Sequence, residues 1–152
     1  MCENLDTCGI ATFKIFEDSA YKQEDIKLPE RQTSGSAGYD FYAPKDIVIK
    51  AKSCTQLFGT GVCVEIKQGW VLFLFPRSSL GNKGIRITNT VGVIDSDYRL
   101  EIKCNLVNDS NEDIVLTKGD RYMQGVFVPF GVIIDDKPVK EQRIGGLGST
   151  GK

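Results

Sequence analysis

The chain is cut into short apolar runs separated by turn residues, and no stretch carries a sustained apolar stripe at helical spacing. Residues 12–16, 47–49, 62–66, 71–75, 85–87, 114–116 and 126–128 are each rich in β-branched, aromatic and other apolar residues and bounded mostly by Gly, Asn, Asp, Ser or Pro. Such runs read as strands. From Leu100 the alternation is strict, with Leu100, Ile102, Cys104 and Leu106 set against Glu101, Lys103 and Asn105, which predicts a half-buried strand. Many short strands with turn signals between them point to an all-β sandwich, barrel or jelly roll. Only residues 79–83 fit a helical turn.

A chain of 152 residues is long enough to bury a core without disulfides or metals. Nothing divides it into two cores, so a single domain over residues 11–142 is expected. Residues 1–10 are polar and unpatterned, and residues 143–152 are glycine-rich; both ends are expected to be mobile. With 19 basic and 20 acidic residues, the chain has no global field to attract nucleic acid or an anionic membrane, so any anion site must be local. No apolar run reaches the ~18 residues of a membrane span, and no secretory leader is visible. The absence of histidine removes Ser-His and Cys-His nucleophilic machinery and disfavours structural zinc. Five cysteines without CxxC spacing suggest reduced thiols in an intracellular, cytoplasmic setting.

Five segments carry chemistry. Pro76-Arg77-Ser78-Ser79-Leu80-Gly81 follows an apolar strand, so a guanidinium and two hydroxyls emerge where strand gives way to turn, an arrangement suited to phosphate. Alone it reads more readily as a capping serine beside a surface arginine. Gly119-Asp120-Arg121 with Gln124 is, alone, a hairpin loop. The glycines between Arg143 and Gly151, with Ser149 and Thr150, could bring backbone N–H groups onto phosphate, or form a linker-like tail. Gly92-Val93-Ile94-Asp95-Ser96-Asp97-Tyr98 could place a general base in a tight turn, although Asp-Ser-Asp in isolation favours a self-capping turn. Ala37-Gly38-Tyr39-Asp40-Phe41-Tyr42-Ala43 is, alone, a strand with a solvent-facing aspartate.

In this order and at these separations, the five segments resemble the five motifs of the homotrimeric dUTPase family, at residues 37–43, 76–81, 89–101, 119–124 and 143–151. The specificity is collective. The resemblance implies a distorted jelly-roll β-barrel with a short helical segment and a flexible C-terminal arm. It also implies hydrolysis of dUTP to dUMP and pyrophosphate with magnesium (Mg2+), and a homotrimer whose active sites are shared between subunits.

Carried across by position, Asp95 would activate the water that attacks the α-phosphorus, and Asp40 would hold magnesium indirectly, through its water shell. Arg77, Ser78, Ser79 and Gln124 would hold the phosphate chain, while Arg143, Gly148, Ser149 and Thr150 close over its far end. Tyr98 would pack against the deoxyribose, and backbone groups from Asn89 to Gly92 would read the uracil edge. The third motif would face the first, second and fourth of a neighbouring chain, with the fifth lent by a third.

Three positions depart from the family pattern. Leu147 stands where the fifth motif usually has an aromatic, Leu100 replaces a glycine, and Gly81-Asn82 replaces small apolar residues. Two other readings stay open at this level. A dCTP deaminase would share the fold and an Arg-Ser-Ser motif, with Glu101 as its candidate catalytic residue. A viral or phage relative could use the scaffold to bind a regulatory protein.

Overall fold

The structure is a computed structural model and describes residues 9–138. The expected C-terminal arm, with Arg143, Leu147, Gly148, Ser149 and Thr150, lies outside the described residues, as do residues 1–8 of the expected N-terminal extension.

Thirteen strands, numbered in chain order, make up most of the regular structure among the described residues. They are β1 (Ala11–Ile15), β2 (Tyr39–Tyr42), β3 (Ile47–Ile49), β4 (Ser53–Cys54), β5 (Phe58–Gly59), β6 (Val62–Ile66), β7 (Trp70–Pro76), β8 (Ile85–Ile87), β9 (Gly92–Ile94), β10 (Lys103–Cys104), β11 (Leu106–Asn108), β12 (Ile114–Leu116) and β13 (Arg121–Pro129). A one-turn helix, α1 (Ser78–Gly81), follows β7, and a short 3-10 turn spans Gln23–Asp25. All pairings between these strands are antiparallel. The result is the expected all-β, distorted jelly-roll architecture.

The four-stranded sheet in the order β2-β13-β7-β9 carries the candidate site. Side chains directly opposite in a ladder point to the same face, and the faces alternate along each strand. Phe41, Met123, Leu74, Leu72 and Ile94 therefore share one face, and all are buried. They join an apolar cluster that also takes in Ile49, Val62, Val64, Ile85, Ile102, Leu106 and Tyr122. Gly125 and Gly92 belong to this face because a Cβ at either would meet Leu72 or Leu74, at 2.8 Å and 3.1 Å respectively.

The alternation from Leu100 does not form one continuous strand. Leu100 is exposed and Glu101 buried, and regular pairing starts only at Lys103. The physical reason is the Glu101 side chain. Its Oε1 accepts the Gly61 N–H at 2.8 Å and the Ser19 hydroxyl at 3.0 Å, so the carboxylate turns inward and Leu100 is driven out. Gly59 makes room for this: a Cβ there would lie 2.3 Å from the carboxylate atoms.

Candidate active site

The opposite face of the same sheet gathers the first, second and fourth segments. Asp40 on β2 stands directly opposite Gln124 on β13, which in turn stands opposite Phe75 on β7; two residues further along β7 comes Arg77. Alternation therefore puts Asp40, Gln124 and Arg77 on one side. Arg121 is three residues from Gln124 and in a regular strand would point the other way. A β-bulge between Arg121 and Met123 adds one residue to β13 and returns Arg121 to the face of Gln124.

Asp40 is the centre of the group. Its side chain is only 9% exposed, and each oxygen is held by a different guanidinium: Oδ1 by Arg77 Nε at 3.0 Å and Oδ2 by Arg121 Nη1 at 3.1 Å. The solvent-facing aspartate that the segment suggests in isolation is not found. A carboxylate this deep is tolerated because both of its oxygens are charge-paired. Arg77 Nη1 also donates to the Arg121 carbonyl at 3.4 Å, which draws the two arginines together. Gln124 Nε2 donates to the Pro76 carbonyl at 3.4 Å. Gly38 lets the amide of Gln124 come close, since a Cβ there would sit 2.6 Å from Gln124 Oε1.

These groups line a cleft of about 510 Å³, with Gln32, Ser36 and Ser78 on its walls. Ser78 opens α1, which Arg77 precedes without a capping side chain, so the serine-cap reading does not hold. Leu80 and Gly81 donate their N–H groups back to the Arg77 carbonyl, at 3.0 Å and 2.9 Å. The N–H groups of Ser78 and Ser79 are the ones that the first turn of a helix leaves unused.

The third segment lies elsewhere. Strand β9 pairs with β7 so that Ile94 is opposite Leu72, which brings Asp95 level with Val71. Arg77 is six residues further along β7, and at ~3.3 Å per residue Asp95 and Arg77 are about 20 Å apart within one chain. Neither Asp95, Tyr98 nor Asn89 lines the cleft. The turn after β9 is fixed locally: Tyr98 N–H donates to the Asp95 carbonyl at 3.0 Å, and the Tyr98 hydroxyl donates to the Glu101 carbonyl at 2.8 Å. Thr90, at φ 62°, turns the chain between Asn89 and Gly92.

A family model described as dUTPase matches residues 24–151, most of the chain. The chain belongs to the dUTPase family. Similar dUTPases include the deoxyuridine 5'-triphosphate nucleotidohydrolase of Nautilia profundicola, 40% identical over 134 residues that cover 85% of this chain and 94% of the relative. That of Psychrobacter cryohalolentis is 40% identical over 148 residues, covering 91% and 92%. Among solved structures, the dUTPase of Streptococcus mutans superposes with a TM-score of 0.70 at 38% identity, covering 80% of this chain and 97% of that one.

Of the residues singled out in the sequence, Asp40, Arg77, Ser78 and Gln124 meet in one cleft. Arg121 and Gln32 line it too, although the sequence alone gives neither a role. Arg121 lies within the fourth motif, but nothing in the sequence reveals the bulge that turns it inward. For Gln32 there is no motif signal at all.

Proposed function

We propose that this chain hydrolyses dUTP to dUMP and pyrophosphate, lowering dUTP and supplying dUMP for thymidylate synthesis. Membership of the dUTPase family supports the reaction. The observation that carries the site assignment is the cleft in which Arg77, Ser78, Arg121 and Gln124 converge around a charge-paired Asp40.

In this reading the cleft holds the phosphate chain. Arg77 and Gln124 donate to phosphoryl oxygens, with Ser78 and Ser79 adding hydroxyl and backbone donors. Beyond the described residues, Arg143, Gly148, Ser149 and Thr150 close over the far end of the substrate. Asp95 accepts a proton from the attacking water, Tyr98 backs the deoxyribose, and Asn89 to Gly92 face the base.

Asp95 reaches that chemistry only if it comes from another copy of the chain, because Arg77 of its own chain is about 20 Å away along the sheet. The sheet face between them favours such a partner. Phe73, Phe75, Val126 and Val128 are half-buried there, and Val93 is exposed. After β13, Val132, Ile133 and Ile134 are exposed as a continuous apolar segment. Apolar surface of this kind marks subunit contacts, and a homotrimer with shared sites accommodates it.

Magnesium fits this site only as a hydrated ion carried by the triphosphate. Both Asp40 oxygens are already held by guanidinium groups, and the described residues contain no cluster of three or more metal-ligating side chains. Asp40 can therefore serve the ion only through its water shell. Magnesium supplies charge neutralisation on the phosphate chain and a better pyrophosphate leaving group.

Pyrophosphate release from dUTP, dTTP, dCTP and UTP, with and without magnesium, tests the proposal. Release from dUTP alone, dependent on magnesium, is expected. Ammonia release from dCTP would instead assign a deaminase.

A further inference from the structure

The geometry points to Arg121 as a positioning residue for the phosphate site, acting through Asp40 on Arg77. The inference rests on the assignment of the cleft to the triphosphate.

A carboxylate is an unfavourable neighbour for a phosphate chain, and Asp40 lines the same cleft as Arg77. Paired with Arg77 alone, it would cancel that arginine's charge. A carboxylate with two available oxygens would also tend to take a guanidinium by two parallel bonds, which uses the nitrogens that a phosphate needs. Arg121 prevents both. By holding Oδ2 at 3.1 Å, it leaves Arg77 bound to Oδ1 through Nε alone, at 3.0 Å. The three side chains together carry one net positive charge. Arg77 Nη1 is steered by the Arg121 carbonyl at 3.4 Å. Among the described residues, Nη2 of Arg77 makes no hydrogen bond and remains for the ligand.

The bulge in β13 gives this arrangement a local cause. It interrupts the ladder between Arg121 and Met123, and the extra residue is what places Arg121 beside Asp40 on the cleft side of the sheet. The Arg121 side chain is 37% exposed, so it is anchored at the cleft wall and not buried as a core ion pair.

The test is a double-mutant cycle with steady-state kinetics on dUTP in the full-length chain. Arg121→Gln is expected to raise KM by about 10-fold or more while kcat falls less than about threefold, since it disturbs positioning and charge, not the attacking water. Arg121→Lys, which keeps the charge and one donor, should recover most of the KM. In an Asp40→Asn background, where there is no carboxylate charge to offset, Arg121→Gln should cost less than about twofold.

Unchanged KM in Arg121→Gln, or the same loss with and without Asp40, would overturn the inference. Should Arg121→Gln fail to fold, Arg121→Lys carries the cycle, with a KM increase of about threefold expected beside Asp40 and none beside Asn. An equal change in KM in both backgrounds would then overturn it. The wild-type chain separates this from the assignment of function: if it released no pyrophosphate from dUTP, the functional reading itself would fall, whatever Arg121 does.

Discussion

Arg77 Nε lies 3.0 Å from Asp40 Oδ1, so the arginine proposed to bind the phosphate chain is held from behind by a nearly buried carboxylate. The pair joins the first and second motifs across the intervening strand β13, and it sets the direction in which the Arg77 guanidinium faces the cleft.

Lysine at this position would keep the charge but lose the fork that allows one nitrogen to be tethered while another binds phosphate. Charge-assisted hydrogen bonds are worth about 1.5–3 kcal/mol. Arg77→Lys is therefore expected to lower kcat/KM for dUTP by about 10- to 100-fold, with thermal unfolding little changed. Steady-state kinetics beside a melting curve checks it.

Gly38 gives a test of Gln124. Its missing Cβ would lie 2.6 Å from Gln124 Oε1, the far end of a flexible side chain. Gly38→Ala should displace the amide without straining the core. The expected outcome is a fall in kcat/KM of about 3- to 10-fold, with stability within about 0.5 kcal/mol of wild type. A large stability loss with normal kinetics would remove Gln124 from phosphate binding.

Tyr122 is fully buried against Phe58, with ring centroids 5.9 Å apart, and its hydroxyl has no hydrogen-bond partner among the described residues. Burial pushes its pKa well above the ordinary tyrosine value. Removing an unpaired buried hydroxyl relieves a desolvation penalty. Tyr122→Phe should thus be neutral or more stable by up to about 1 kcal/mol, measured by urea unfolding.

Cysteine reactivity should follow depth. Burial pushes the Cys104 thiol up to about 12, and burial also raises Cys63, while Cys54 is exposed. The thiolate is the reactive form, and a raised pKa leaves less of it at pH 8. Alkylation of the native protein at that pH, read by peptide mass spectrometry, should modify Cys54 and spare Cys104 until the chain is unfolded.

Much of the fold was legible because strand periodicity is local. Residues 47–49, 62–66, 85–87 and 114–116 form strands with the bounds read from the sequence. The Leu100 alternation misled because a buried Glu101, anchored on Gly61 and Ser19, outweighs the pattern of its neighbours. Those partners lie 40 and 82 residues away in sequence, beyond the reach of any local pattern. The site behaved similarly. Asp40, Arg77 and Gln124 could be picked out by motif, but their convergence is a matter of strand register. Arg121 depends on a bulge that leaves no mark in the sequence. The separation of Asp95 from the cleft follows from the pairing of β9 with β7 and has no local signal.

That separation leads to the most direct test. Asp95→Asn is expected to lower kcat by about 100-fold or more with affinity nearly intact, and Arg77→Ala to weaken substrate binding. Each variant carries one defect. If Asp95 serves the cleft of another copy, co-refolding the two variants in equal amounts creates some sites with neither defect. Random mixing of a symmetric assembly would restore about a quarter of wild-type activity per site. Recovery near that level is the expected result. A mixture no more active than the two variants measured separately would contradict a site shared between chains.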